Sequence, residues 1–252
     1  MKSKINSIQH VGKILFLFSI VFVFSITNSA CDKNDPENIS GNGYATGKAI
    51  DTNGNPLVGA EVAVENTLVG YHSSANGATD TNGNYQINLS TVGTFHASAY
   101  LNKTFNGKQY KLALHCDNNE AFGNEGAVRN FEWKLTGTKP VAADGFYGAA
   151  VELYNEPGYY IDENDIVVAL NPLGSLIDGS AGTVISRHPI VTSYAVLNDI
   201  PLGKYEASAT YNGTPLKLKK LDSNQPYQAT VVVEFEQEIS SGTPVFRLSY
   251  KQ

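Results

Sequence analysis

Short runs of alternating apolar and polar residues, separated by turns rich in glycine and asparagine, fill the chain from residue 43 onward. In the clearest run, 85–89, three apolar side chains alternate with polar ones and predict a strand with one buried face. The pentapeptide Asp-Thr-Asn-Gly-Asn occurs at 51–55 and at 80–84. Asn-Gly suits tight hairpin turns, whereas a calcium loop of this kind needs its glycine two positions later. The pattern therefore predicts turns between strands.

Further runs of this kind predict strands on both sides of a linker at 138–143. In the first half the expected strands are 45–50, 60–64, 85–89, 92–100 and 128–135. In the second half they are 166–170, 193–197, 216–221, 230–235 and 245–250. Segments 203–209 and 232–236 repeat, in the same order, the apolar patterns of 93–99 and 128–132. This order favours a second sandwich of similar fold.

The first thirty residues have the arrangement of an export signal. Lys2, Lys4 and Lys13 precede the apolar run 14–26, which is shorter than the roughly 20 residues of a spanning helix. A short stretch of small and polar residues then leads to Cys31. The segment resembles a bacterial lipoprotein signal, and this resemblance implies cleavage before Cys31 and acylation of its thiol. Ordinary secretion with a free Cys31 thiol is the alternative.

Residues 31–42 are polar, contain a proline and a glycine, and predict a flexible tether. The acidic residues Asp32, Asp35 and Glu37 resemble the export tags of lipoproteins displayed on the surface of some Gram-negative bacteria. Conversely, Asp directly after the lipidated cysteine retains lipoproteins at the inner membrane of enteric bacteria. We expect attachment to the cell envelope, at the outer membrane with surface exposure, and the membrane face stays open.

Composition limits the partners that the chain can take. The formal net charge is -6, and removal of residues 1–30 takes away three lysines and no acids, which leaves -9. A chain this acidic is not drawn to nucleic acid or to an anionic lipid surface. With Cys31 acylated, Cys116 has no cysteine partner, so we expect a fold without a disulfide.

The succession of turns and strands in the first half carries a family resemblance. Gly47, the turn at 51–57, the strand that starts at Ala60 and the glycine-led strand 93–99 follow one another in a specific order. This order is similar to the carboxypeptidase regulatory-like domain, a transthyretin-like or prealbumin-like β-sandwich. The resemblance implies an accessory module without catalytic residues, of a type found on secreted proteases, surface receptors and glycan-handling proteins.

The expected fold is all-β, with two tandem β-sandwich domains of this type after a lipoprotein signal peptide. The predicted divisions are a signal peptide at 1–30, a tether at 31–42, a first sandwich at 43–137, a linker at 138–143 and a second sandwich at 144–252. The chain is long enough for each sandwich to bury its own core.

No recognised motif for catalysis or metal binding is present. The sequence lacks H-E-x-x-H, C-x-x-C and G-x-S-x-G, and its histidines are scattered. His115 and Cys116 are adjacent on an expected strand, so their side chains point to opposite faces and do not grip one ion. We expect Cys116 to be a buried small hydrophobic side chain. Neither an enzyme activity nor a cofactor nor a metal is predicted.

The clearest candidate for a binding surface is the segment 154–165. It carries Tyr154, Tyr159 and Tyr160 among amides and carboxylates, including Asp162. Tyrosine rings stack on the apolar side of a pyranose while polar neighbours take its hydroxyls, so carbohydrate binding is one interpretation of these residues. The preferred interpretation is a long loop whose tyrosines fold back onto the edge of the sandwich. Calcium binding by the acids is a further one, although the spacing matches no known loop.

The function that these patterns favour is that of a non-catalytic, lipid-anchored envelope protein presenting β-sandwich binding modules. Carbohydrate binding within a surface uptake apparatus is the first hypothesis. The alternative is a structural or adhesive spacer, or an accessory subunit of an outer-membrane complex, and a hydrolase comes third. The expected partners are a membrane, through the N-terminal lipid, and a glycan or an outer-membrane protein complex, with no nucleic acid.

Overall fold

The computed structural model describes residues 43–68, 70, 73–140 and 145–252. In these ranges every regular element is a β-strand apart from one 3-10 turn, Glu163–Asp165, so the all-β prediction is confirmed. The predicted signal peptide at 1–30, the lipid site Cys31 and the tether at 31–42 lie outside the described residues. The predicted linker at 138–143 is described only in part, so the domain boundaries stay a prediction. Across the described ranges, no helix has the length and apolar character needed to cross a bilayer.

The described part of the first half contains nine strands in two sheets. They are β1 (Tyr44–Ile50), β2 (Glu61–Asn66), β3 (Ser74–Ala78), β4 (Asn84–Asn88), β5 (Phe95–Phe105), β6 (Lys108–Ala113), β7 (His115–Cys116), β8 (Ala127–Val128) and β9 (Phe131–Glu132). One sheet has the order β4-β1-β9-β7, with β8 beside β1, and the other has the order β3-β2-β5-β6. Apolar side chains from both sheets, among them Val62, Tyr85 and Phe131, form the buried core. The first half is therefore a sandwich.

The repeated pentapeptide forms the same turn twice. Asp51 Oδ1 accepts hydrogen bonds from the backbone N–H groups of Asn53 and Asn55, both at 2.9 Å. Asp80 Oδ1 accepts from the two corresponding N–H groups at 2.8 Å. The glycine in each turn has a positive φ, 80° in the first and 77° in the second, which explains why glycine follows asparagine. The prediction of turns at both pentapeptides is confirmed.

The second half is a sandwich of eleven described strands. They are β10 (Ala149–Asn155), β11 (Ile166–Pro172), β12 (Ile185–Arg187), β13 (Ile190–Val191), β14 (Ala195–Ile200), β15 (Lys204–Tyr211), β16 (Thr214–Pro215), β17 (Lys217–Lys220), β18 (Val231–Glu234), β19 (Glu236–Gln237) and β20 (Pro244–Lys251). One sheet has the order β13-β14-β10-β20-β17, with β19 beside β20. The other has the order β12-β11-β15-β16, with β18 beside β15. Leu153, Tyr205 and Leu248 are among its fully buried core side chains.

The two sandwiches share their strand connections. In the first, β1 lies between the antiparallel β4 and the parallel β9, and in the second β10 lies between the antiparallel β14 and the parallel β20. In the opposite sheets, β2 pairs with β3 and β5 as β11 pairs with β12 and β15. The similar segments 93–99 and 203–209 lead into the equivalent strands β5 and β15. The similarity of segments 93–99 and 203–209 therefore reflects a repeated topology.

The second pair of similar segments, 232–236 and 128–132, does not occupy equivalent strands, so this part of the sequence prediction is wrong. Segment 232–236 lies mainly on β18, which is antiparallel to β15, whereas 128–132 includes parts of β8 and β9, which are parallel to β1. The strand equivalent to β8 and β9 is β20. Alternation alone gives unrelated amphipathic strands a common pattern, which is why the two segments look alike.

Other sequence predictions also differ from the structure. The predicted strand 128–135 is divided into β8 and β9, because the chain at Arg129 passes very close to Gly47. A Cβ on residue 47 would lie 1.8 Å from the Arg129 carbonyl oxygen. That oxygen accepts a hydrogen bond from the Tyr85 hydroxyl at 2.7 Å. Strand β10 has no counterpart among the predicted strands, because residues 149–153 are buried on both faces and lack alternation.

The two sandwiches meet along the edge strand β6. The Tyr110 hydroxyl donates a hydrogen bond to the Phe235 carbonyl oxygen at 2.8 Å. The Gln237 amide accepts from the Lys111 N–H at 2.6 Å and donates to the Lys111 carbonyl at 2.7 Å. Gln237 thus provides the hydrogen bonds that a neighbouring strand would give this edge. The described residues of both sandwiches belong to one compact unit.

Candidate functional site

The connection between β10 and β11, residues 156–165, forms one wall of a groove. Its chain reverses direction near Gly158, whose φ is 89°. Asp162 then begins the 3-10 turn, because its carboxylate accepts from the Asn164 backbone N–H at 3.0 Å and from the Asn164 side-chain amide at 2.8 Å. These side-chain and backbone hydrogen bonds hold the pKa of Asp162 below its ordinary value. The Asp162 carboxylate is therefore ionised at neutral pH.

The opposite wall is the turn between β13 and β14, and the ends of β10 and β20 form the floor. The groove has a volume of about 490 Å³. Its lining residues are Leu153, Tyr154, Asn155, Tyr160, Ile161, Asp162, Glu163, Val191, Ser193, Tyr194 and Tyr250. Three of the four residues predicted from the sequence, Tyr154, Tyr160 and Asp162, are thus brought together at one groove.

Four tyrosines line the groove, and the rings of Tyr154, Tyr160 and Tyr194 form its aromatic surface. The rings of Tyr154 and Tyr194 are stacked, with centroids 5.8 Å apart and an angle of 14° between their planes. Tyr194 is 39% exposed, and Tyr160 on the other wall is 83% exposed. Exposure of a large ring to this extent leaves its faces open to a flat ligand.

The fourth predicted residue, Tyr159, points away from the groove. Its ring packs against the hydrophobic core and meets the Tyr250 ring edge to face, at a centroid distance of 6.2 Å. Its hydroxyl is buried without a hydrogen-bond partner among the described residues. The structure therefore divides the adjacent tyrosines: Tyr159 anchors the connection and Tyr160 stands outside it.

The groove is acidic. Asp162 and Glu163 are its charged lining residues, and no lysine, arginine or histidine is among the described residues that line it. Glu163 Oε1, on the wall, accepts a hydrogen bond from the buried hydroxyl of Tyr250 on the floor at 2.8 Å. Burial, followed by this hydrogen bond, raises the pKa of Tyr250 above its ordinary value. Tyr250 consequently remains a neutral donor that fixes the Glu163 carboxylate.

An ion pair between the buried Glu152 and the partly exposed Arg247, which the sequence analysis missed, supports Tyr154. Glu152 and Arg247 face each other across the parallel β10–β20 ladder, and Arg247 Nε donates to Glu152 Oε2 at 2.7 Å. The Tyr154 hydroxyl donates to the same carboxylate oxygen at 2.9 Å. Burial, then the Glu152 hydrogen bond, raises the pKa of Tyr154. A single charged residue inside the apolar run 149–153 is the sequence signal that points to this pair.

The other residues considered for chemistry, His115 and Cys116, have structural contacts. Cys116 is 5% exposed, and its thiol contacts the Asn118 carbonyl oxygen at 3.1 Å, so the expectation of a buried side chain is confirmed. Burial raises the pKa of the Cys116 thiol, which lowers its reactivity. His115 Nδ1 lies 3.0 Å from the Tyr147 hydroxyl. The described ranges contain no group of three or more His, Cys, Asp or Glu side chains arranged to hold a metal ion.

No protein-family model and no curated protein matches this chain. Among solved structures, it is similar to the Bacillus anthracis TIE protein, with 14% identity and a TM-score of 0.30, over 82% of this chain and 33% of that one. It is also similar to a streptococcal ancillary pilin, with 8% identity, a TM-score of 0.26 and coverage of 82% and 62%. The major pilin T-13 from Streptococcus pyogenes has 12% identity, a TM-score of 0.26 and coverage of 84% and 97%. The resemblance to carboxypeptidase regulatory-like domains stays a prediction, and the carbohydrate binding proposed below depends on the groove alone.

Proposed function

We propose that the chain is a non-catalytic, lipid-anchored protein of the cell envelope whose second sandwich binds carbohydrate in the groove. The observation that carries the proposal is the exposed ring of Tyr160 opposite the stacked pair Tyr154 and Tyr194. Sugar rings present apolar C–H faces that pack on tyrosine rings. The volume of about 490 Å³ lies within the range of small-ligand sites.

Polar groups around the tyrosines provide partners for sugar hydroxyls. Asp162 and Glu163 offer carboxylate oxygens, while Asn155 and Ser193 line the same groove with an amide and a hydroxyl. The Tyr250 hydroxyl is engaged by Glu163 and fixes that carboxylate in place. A groove that combines flat apolar surfaces with a few fixed acceptors matches the requirements of carbohydrate recognition.

The electrostatics of the groove favour binding over hydrolysis. Glycoside hydrolysis by a carboxylate pair needs one carboxylic acid that is protonated at the working pH. The pKa of Asp162 is held low by Asn164, so this group is a poor proton donor. The second carboxylate, that of Glu163, is engaged by the Tyr250 hydroxyl at 2.8 Å. These contacts suit a fixed pair of hydrogen-bond acceptors.

A glycan array with the full-length protein in detergent tests the proposal. We expect binding to at least one oligosaccharide class. In Tyr160→Ala the affinity is expected to fall about tenfold or more, because stacking of a nucleic-acid base, a ring of similar size, on an aromatic side chain is worth about 1–3 kcal/mol. Tyr44→Ala, which changes a half-buried tyrosine of the first sandwich, is the matched control and is expected to bind normally. An empty array, or equal binding by Tyr160→Ala, contradicts the proposal.

Membrane attachment through Cys31 is the second part of the proposal. The support is the run of lysines, apolar residues and small residues before Cys31, and two or three acyl chains hold a protein durably on a bilayer. We place the protein at the outer membrane with surface exposure. Labelling of cells with a radioactive fatty acid is expected to mark the chain and to be lost in Cys31→Ala. Cys116→Ala, which changes the other cysteine, is the control that keeps the label.

A structural role, as a spacer or as an accessory subunit of an outer-membrane complex, is the second candidate function. The contacts of Tyr110 with Phe235 and of Gln237 with Lys111 favour it, because they connect the sandwiches directly. Two sandwiches held together by direct contacts suit a role as a spacer. Co-purification of membrane proteins with the full-length chain, together with an empty glycan array, would support this role over sugar binding.

A further inference from the structure

We infer that the groove prefers a ligand that carries a protonated amine, and that amino sugars are the class of carbohydrate that it takes. The inference rests on the proposed function and narrows it to a ligand class. Asp162 and Glu163 are the charged groups at the groove, and both are carboxylates. An ammonium group on the ligand gains from both, whereas the carboxylate or sulfate of an acidic sugar is repelled.

Arg247, which pairs with the carboxylate that the groove residue Tyr154 contacts, is already occupied. Arg247 reaches the groove only through Tyr154, because its guanidinium donates to Glu152 at 2.7 Å and to Glu238 at 2.6 Å. These two carboxylates offset its charge, although Arg247 also interacts with the Tyr154 hydroxyl. The charge of Asp162 and Glu163 is therefore not compensated by Arg247, and a cation in the groove adds the missing partner.

The aromatic rings provide an independent reason. Elsewhere on the same sheet the chain places its own lysines over a tyrosine, since the Nζ atoms of Lys219 and Lys251 lie 4.7 and 4.6 Å from the Tyr227 ring centroid. Among the described residues, no lysine or arginine lies over the rings of Tyr160 and Tyr194. These open faces beside carboxylates are a favourable site for an ammonium group.

A comparison of the affinities of three oligosaccharides for the full-length protein in detergent tests the inference. The probes are a glucosamine tetramer with protonated amines, an N-acetylglucosamine tetramer and a galacturonate tetramer, measured by isothermal titration calorimetry at low salt. We expect the glucosamine tetramer to bind about tenfold more tightly than the neutral one, from two exposed ion pairs and one cation–π contact. The galacturonate tetramer is expected not to bind. The preference is expected to shrink as salt is raised, because salt screens exposed charges.

A pair of matched variants locates the effect. In Asp162→Asn with Glu163→Gln, the capping and acceptor oxygens are kept and the two charges are removed. This double variant is expected to bind both glucosamine-based tetramers equally. The control, Glu65→Gln with Glu120→Gln, removes two exposed carboxylates from the first sandwich and is expected to keep the preference. Far-UV circular dichroism checks that both variants are folded. The salt dependence of the preference is measured on the natural chain, so this test does not depend on the folding of a variant.

Each outcome separates the inference from the proposed function. Equal or tighter binding of the neutral tetramer, or binding of the galacturonate tetramer, overturns the preference for amines while carbohydrate binding stands. A preference that persists in the groove variant, or that disappears in the control variant, also overturns it. If none of the three tetramers binds and the glycan array is empty, the proposed function fails and the inference falls with it.

Discussion

The loop after the first strand differs in the two sandwiches, although their topologies match. Residues 51–60 join β1 to β2, and residues 156–165 join β10 to β11, with ten residues in each connection. In the first, the Asp51 turn and the nearly buried Leu57 return the chain directly to the sheet. In the second, Tyr159 packs inward, as Leu57 does, and Tyr160 stands 83% exposed. The two connections thus have the same length and the same place in the topology, but one is a plain turn and the other forms a wall of the groove.

The other wall of the groove also depends on a difference between the sandwiches. In the first, β3 is joined to β4 through residues 79–83, which include the first four residues of the second pentapeptide. In the second, β13 is inserted between β12 and β14 and pairs with β14 through Ile190 and Val191. The β13–β14 turn carries Ser193 and Tyr194 to the groove. The comparison shows that the repeated sheets provide position, while a loop sequence and an added strand provide the site.

The largest expected effect concerns the contrast between the divided last strand of the first sandwich and the continuous β20. Gly47→Ala places a methyl group 1.8 Å from the Arg129 carbonyl oxygen and 2.8 Å from a Tyr85 ring carbon. Because the first obstacle is backbone, the strands must separate, and we expect a loss of about 3 kcal/mol in the free energy of unfolding. Urea titration followed by fluorescence of Trp133, the single tryptophan, reports this loss in the first sandwich.

Gly77→Ala is the matched control for this substitution. A Cβ at Gly77 would lie 3.1 Å from a side-chain carbon of Ile87, which can move, so we expect a change below about 1 kcal/mol. Equal urea midpoints for Gly47→Ala and the natural chain would show that the close approach to Arg129 does not hold the divided strand in place.

A smaller effect tests the ion pair beneath the groove. Arg247→Met leaves the carboxylate of Glu152, whose side chain is 9% exposed, without its cation. We expect a loss of about 2 kcal/mol, less than for a fully buried pair because the Arg247 side chain is 40% exposed. Adding Glu152→Gln to this variant removes the unpaired charge and is expected to recover part of the loss. The measurement is urea unfolding followed by far-UV circular dichroism.

Lys217→Met is the control for removal of a positive charge from the same sheet, since Lys217 is exposed on β17. It is expected to change the free energy of unfolding by less than about 0.5 kcal/mol. A full loss in the Glu152→Gln, Arg247→Met double variant, equal to that of Arg247→Met, would mean that packing of the arginine matters and its charge does not.

The sequence predicted the parts of the fold that local pattern controls. Asp-Thr-Asn-Gly-Asn specifies its turn through the side chain of its own aspartate, and alternation at 85–89 specifies a buried face. Strand β10 escaped prediction because a strand buried on both faces has no alternation. At the site, Tyr154, Tyr160 and Asp162 come from one segment and were accessible to sequence reasoning. Tyr194 joins them only through the pairing of β10 with β14, and such a long-range register is not written in local pattern.

The smallest expected effect tests whether the two sandwiches act as one unit. Tyr110→Phe removes the hydrogen bond to the Phe235 carbonyl oxygen, which keeps a second donor in Lys108 Nζ at 3.2 Å, so we expect a loss of about 1 kcal/mol. Tyr205→Phe removes a hydrogen bond to Pro201 inside the second sandwich and is the matched control. Only Tyr110→Phe is expected to separate the urea transition of Trp133 from that of the second sandwich.

The pH dependence of unfolding sharpens this test. Burial, then the charges of Glu234 and Glu236, raises the pKa of Tyr110 from 10.0 to about 12. Because the folded pKa is the higher one, the stabilisation is complete below pH 10 and is lost as the pH rises toward 12. Tyr110→Phe removes this contribution, so its free energy of unfolding is expected to fall less steeply over that interval than that of the natural chain. Parallel curves would mean that Tyr110 titrates alike in the folded and unfolded chains, and that the contact between the sandwiches is open in solution.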